Sequence, residues 1–224
     1  MVDVLKELED FINEFNHDKD EEFDIDSIRI EFNKTTKLEK LKELGKWSKV
    51  SKSDKQIMKH IKSGYRNIKV TSVQKLDKLN IYYYNLPDSP KYRKAVMVIF
   101  GLKQYHKDPP PRDIINSIIA ILKNISNIDV CKDLNYKPNI TNLKRYFKIK
   151  RYREPISKVL TNTYYINDTD ILMLNKVVIY DKAQKNNLDG VLWRIEANIF
   201  IPNIKVLAIP LYEFKNEILE IAKV

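Results

Sequence analysis

The sequence predicts an α+β fold, a central antiparallel β-sheet flanked by helices. Three observations predict it. Short apolar runs with period-two alternation recur along the chain, bounded by turn residues. Amphipathic segments with helical spacing fall between them irregularly, as they do when helices cover the faces of an antiparallel sheet. The 224 residues are 43% hydrophobic, enough for a sizeable core.

Val4, Leu5, Leu8, Phe11, Ile12 and Phe15 stand at helical spacing and predict a first helix. An acidic loop follows over 16–24, so residues 1–24 are expected as an acidic amphipathic arm and 25–224 as a single α+β domain. Ile28, Ile30 and Phe32 alternate in a first strand. Basic helices are expected over 37–47 and 53–62, the second capped by Ser53 or Asp54 and closed by Gly64. Strands are expected over 68–73, 79–86 and 95–102, with the turn Pro87-Asp88-Ser89-Pro90 between the last two. Pro109 to Pro111 stop the third strand, and 112–125 has a helical apolar stripe. A strand over 128–134, a short helix over 139–149 and strands over 161–166 and 173–180 come next. A helix over 210–223, entered at Pro210, ends the chain. The residues show no internal repeat.

Charge narrows the function. The net charge is +10, and residues 1–31 carry 3 Lys/Arg against 12 Asp/Glu, leaving +19 on the remainder. A body that basic suits a polyanionic partner, most often nucleic acid, although a lysine-rich composition alone also produces it. Four glycines and no Gly-rich phosphate loop argue against a nucleotide-driven motor. The single cysteine, Cys131, excludes an internal disulfide and a cysteine zinc site and fits a reducing cytoplasm. No apolar run approaches the ~18 residues of a membrane helix, so no membrane partner is expected.

Chemistry concentrates between Asn175 and Phe200. One strand ends in Tyr180-Asp181-Lys182, and the next reads Trp193-Arg194-Ile195-Glu196. Alternation puts Leu192, Arg194, Glu196 and Asn198 on one face, polar at Arg194 and Glu196, and Val191, Trp193, Ile195, Ala197 and Ile199 on the other, from which Trp193 and Ile195 can enter a core. Tyr180 is the candidate nucleophile, with Tyr164 and Tyr165 as alternatives. A phenol titrates near 10 and needs a nearby cation or metal to attack at neutral pH. Lys182, on the same face if the strand continues, and Arg194 are the candidate cations. Asp129, Asp133 and Glu196 are the candidate oxygen ligands for Mg²⁺ or Mn²⁺. Asp129 and Asp133 are ~13 Å apart along an extended strand, so both reach one ion only if the strand bends. The histidines, His17, His60 and His106, are unpaired in sequence. Residues 132–158 hold nine Lys/Arg and two acids with tyrosines between them. Arg145, Lys150, Arg151 and Arg153 are the candidate DNA contacts, with aromatics such as Tyr152 available to stack on bases.

These motifs resemble plasmid rolling-circle replication initiators, in the branch lacking the paired-histidine metal motif and related to conjugative relaxases. The resemblance lies in Tyr180-Asp181-Lys182, in Trp193-Arg194-Ile195-Glu196 and in the strand Ile128-Asp129-Val130-Cys131-Lys132-Asp133, and spans residues 64–200. It implies a metal-dependent tyrosine nickase that cuts one strand of origin DNA in single-stranded or hairpin form. The cut leaves a 5′-phosphotyrosine and a 3′-OH, and the ends are later rejoined. Host helicase and polymerase would then be partners, with room for a homodimer. A conjugative relaxase and a non-catalytic DNA-binding regulator are the alternatives.

Overall fold

The computed structural model describes residues 3–14, 23–51, 54, 57–58, 61, 70–86, 93–103, 108–154 and 156–224. The acidic residues 16–22, most of the helix expected over 53–62, the start of the strand at Ile68, the Pro87 to Pro90 turn and His106 lie outside them. The expected antiparallel sheet with flanking helices is the architecture found. Within the span 25–224, expected as one domain, two compact units are distinguished. One comprises residues 1–8 and 26–127, the other 9–25 and 128–224. Among the described residues, no helix is long and apolar enough to cross a membrane.

The first unit holds β1 (Asp24–Asn33, whose first two residues belong to the second unit), α2 (Lys34–Lys42), β2 (Trp47–Lys49), β3 (Thr71–Leu76), β4 (Ile81–Asn85), β5 (Lys94–Phe100) and α3 (Arg112–Leu122). Its strands lie in the order β2-β3-β4-β5-β1, each described pair antiparallel. Asn33 starts α2 by accepting from the Thr35 amide. Helix α3 buries Ile115, Ile118, Ile119 and Leu122, the stripe read from sequence, and ends at Lys123, which takes φ +73°. Asp3 opens α1 (Val4–Glu14), accepting from the Lys6 amide at 2.9 Å and pairing with Arg112 at 3.2 Å. One sheet face is closed over by an apolar layer in which Ile61, Val70 and Val73 pack with Tyr82, Tyr84, Val96, Val98 and Phe100.

The second unit holds β6 (Asn127–Leu134, whose first residue belongs to the first unit), α4 (Ile140–Tyr146), β7 (Ile149–Arg153), β8 (Leu160–Ile166), β9 (Leu174–Asp181), α5 (Lys182–Asn186) and β10 (Trp193–Phe200). Its order, β6-β10-β9-β8-β7, repeats that of the first unit: an opening strand, a helix, then a four-strand meander whose last strand returns beside the opener. The C-terminal helical segment runs through Ala208–Glu213, a π-helical stretch Phe214–Leu219 and Glu220–Lys223, and buries Leu211, Phe214, Ile218 and Leu219.

Two sequence expectations are corrected here. Strand β9 stops at Asp181, so Lys182 begins a helix instead of continuing the strand; the Asp181 carboxylate accepts from the Gln184 amide and caps that helix. Val191 stands outside β10, exposed, and the chain enters the strand at Trp193 after Gly190, whose φ of +85° suits glycine.

Candidate active site

The site is built on three neighbouring strands of the second unit. Antiparallel pairing sets Arg194 opposite Tyr180 and Glu196 opposite Val178. Asp133 bonds Arg194, and Asp129 bonds Asn198; the two pairs step in opposite senses along β6 and β10, as antiparallel neighbours do. The polar face read on β10 is therefore real, but Arg194 on it is 1% exposed. A guanidinium is buried at that level only when charges and hydrogen bonds meet it.

Asp133 meets it. Its carboxylate accepts from Arg194 Nε at 2.5 Å and Nη2 at 2.8 Å, and from Lys182 Nζ at 3.4 Å. Lys182 is itself buried, so leaving the strand did not take its ammonium out of the network. Arg194 Nη1 lies 3.8 Å from Glu196 Oε1. The Tyr180 hydroxyl donates to that same oxygen at 2.5 Å. Two cations and two carboxylates thus form a charge-balanced string ending on a phenol. Lys185, exposed on α5, sits over the Tyr180 ring at 4.3 Å. Sequence reading missed Lys185. The signal was Asp181 followed by the helix-favouring run Lys-Ala-Gln-Lys-Asn, which brings residue 185 back one turn.

Asp129, Asp133 and Glu196, expected as metal ligands, are brought onto one network but not into one cage. Asp129 accepts from Asn198 Nδ2, and Asn198 in turn accepts from Asn175. Asp133 is held by its two cations and Glu196 by Tyr180. Among the described residues, no group of three or more His, Cys, Asp or Glu side chains is placed to hold a metal ion. As arranged, these carboxylates do not fit a divalent ion.

No family model and no curated protein matches the chain. Among solved structures the chain is similar to a rolling circle replication initiator protein from Geobacillus stearothermophilus, at 15% identity and a TM-score of 0.45, over 85% of this chain and 78% of that one.

The four candidate DNA contacts are exposed but do not form one surface. Arg145 lies in the last turn of α4. Lys150 pairs with Tyr165 and Arg151 with Tyr164, so neighbouring residues face opposite sides of the sheet. Arg151 donates to Thr161 O at 2.7 Å and Asn162 Oδ1 at 3.2 Å and lies over the Tyr164 ring, along its own hairpin. Arg153 follows a register shift and pairs with Leu160. Of the alternative nucleophiles, Tyr164 is buried on the side opposite Tyr180, whereas Tyr165 is half-buried on the Tyr180 side.

Proposed function

We propose that the chain is a tyrosine nickase of the rolling-circle initiator kind, cutting one strand of origin DNA. The observation that carries this reading is the Tyr180 hydroxyl donating to Glu196 at 2.5 Å within a string whose charges already balance. A phenol is intrinsically a far weaker acid than a carboxylic acid, so a carboxylate does not strip it of its proton in advance. Transfer to Glu196 therefore accompanies bond formation, as general-base catalysis requires. The Tyr180 oxygen forms a bond to phosphorus while the bond from phosphorus to the 3′ oxygen breaks. The proton taken by Glu196 passes to the departing oxygen. The products are a 5′-phosphotyrosine and a 3′-OH, a polarity taken from the sequence resemblance, and reversal rejoins the ends. Lys185 is the exposed cation beside the phenol and offsets charge on the phosphate. Asp133 and Lys182 position Arg194, which in turn orients Glu196. Host helicase and polymerase would act on the freed 3′ end; a conjugative relaxase would run the same step in DNA transfer.

Dependence on Mg²⁺ or Mn²⁺ enters through the candidate oxygen ligands read in the sequence and through the resemblance, and EDTA tests it. Unchanged activity in EDTA removes the ion; abolished activity requires Asp129 or Glu196 to exchange partners. The proposal itself is tested with a pool of DNA hairpins carrying randomised loops, run with each ion and resolved under denaturing conditions. The wild-type protein is expected to form a covalent DNA species. Tyr180→Phe is expected to form none while binding the pool within about twofold. No covalent species from the wild type overturns the proposal.

A further inference from the structure

We infer that Tyr165 and Tyr152 form a stacking platform for an unpaired base next to the scissile phosphate; this rests on the nickase reading for its placement but not for its test. Strand pairing carries the placement. Tyr165 lies opposite Val178, and Val178 lies opposite Glu196, so only one side chain separates the Tyr165 ring from the carboxylate that holds Tyr180. Val178 and Tyr180 are two residues apart on β9 and share a face. Tyr152 meets Tyr165 edge to face, with ring centroids 6.1 Å apart and planes at 83°. That contact fixes the Tyr165 ring without stacking on it.

Burial points the same way. On this face of β8 and β9, Thr163, Tyr165, Lys176 and Val178 are half-buried and Tyr180 is buried, while Tyr164, Ile166, Val177 and Ile179 on the other face are all buried. The face holding Tyr180 is thus the less buried of the two, and it is least buried around Tyr165. Lys176 Nζ lies 4.8 Å from the Tyr165 centroid, and exposed Lys150 pairs with Tyr165 on its other side. An aromatic ring between two lysines, beside a phenol set up to attack a phosphate, has the chemistry of a single-strand site: the cations follow the backbone and the ring takes the base. Duplex DNA keeps its bases stacked on one another and cannot use the ring.

The test separates stacking from cutting. Binding of an about ten-nucleotide single strand and of its all-abasic counterpart is measured by fluorescence anisotropy, with every protein in the non-cutting Tyr180→Phe background. Replacing Tyr165 with Leu is expected to weaken binding of the normal strand about tenfold, and Tyr165→Phe by less than about twofold. Removing the bases should cost the Tyr165→Leu protein about tenfold less than it costs the parent, because the ring no longer has a base to lose. Tyr152→Leu is expected to show a smaller version of the same coupling. Equal binding by Tyr165→Leu and parent, or equal abasic losses in both, overturns the platform. Covalent capture with Tyr180 restored is scored in parallel. Coupling without capture removes the nickase reading and keeps the platform, and capture without coupling does the reverse.

Discussion

In the first unit Glu31, Val96 and Tyr84 stand side by side across β1, β5 and β4. In the second, Asp133, Arg194 and Tyr180 stand in the same way across β6, β10 and β9. Both rows read acid, middle residue, tyrosine, on units with one strand order. The middle strand makes them different. Strand β5 reads Lys-Ala-Val-Met-Val-Ile-Phe and, after Lys94 at its start, offers that face Val96, Val98 and Phe100. The face is covered, Tyr84 is fully buried with no hydrogen-bond partner for its hydroxyl among the described residues, and burial pushes its phenol up to about 12. Strand β10 offers Arg194, Glu196 and Asn198 instead. That face stays partly open, and the Tyr180 hydroxyl has an acceptor. The comparison teaches that the scaffold supplies the row, and that two residues of one strand decide whether the hydroxyl of its tyrosine meets apolar side chains or a carboxylate.

Substitutions that break the comparison should show this. The largest effect is expected from Glu196→Gln, which keeps the shape and loses the base. Covalent capture should slow about 10²- to 10⁴-fold with DNA binding retained, measured by single-turnover kinetics. Next is Arg194→Met. It leaves Asp133 partly buried and short of its main partner, and urea unfolding should report a loss of about 3–5 kcal/mol. Val96→Ala, at the matching place, removes only packing and should cost about 1–3 kcal/mol.

The two tyrosines should respond with opposite signs. Tyr84→Phe removes a buried hydroxyl with no partner among the described residues and should stabilise by about 1 kcal/mol, whereas Tyr180→Phe loses a hydrogen bond to a carboxylate and should destabilise by about 1–2 kcal/mol. The Tyr84 phenol also predicts a pH dependence. Its folded value of about 12 lies above the unfolded value of 10.0, so the folded protein keeps the proton while the unfolded chain loses it. That contribution is complete below pH 10 and is lost as pH rises toward about 12, a change of about 3 kcal/mol. Tyr84→Phe should flatten the alkaline limb of a stability profile in this window. The smallest effect is expected from Asp3→Ala. The Lys6 amide, Asn116 and Arg112 hold the Asp3 carboxyl down to about 2, so the cap is lost only as pH falls below 4 toward 2; the substitution should lower the melting temperature slightly at pH 7 and not at pH 2.

Much of this was legible in the residues. The antiparallel α+β fold followed from period-two runs, and the Tyr180, Arg194 and Glu196 neighbourhood from alternation along β9 and β10. What was not legible depends on partners distant in sequence. Alternation places Arg194 on a polar face, but its burial is set by Asp133, 61 residues earlier. Strand β7 was missed because Lys-Arg-Tyr-Arg has no apolar alternation; pairing with β8 makes it a strand. The spread of the basic residues over two faces of that hairpin is likewise a matter of register. The repeated topology left no trace in sequence because β5 and β10 carry different side chains at matching places.

The central claim is that Tyr180 is the residue that attacks. The most direct measurement is to trap the covalent species formed on the hairpin pool, digest the protein and the DNA, and locate the remaining nucleotide by peptide mass spectrometry. The account predicts a single modified peptide with the nucleotide on Tyr180. A nucleotide on Tyr164 or Tyr165 would contradict it.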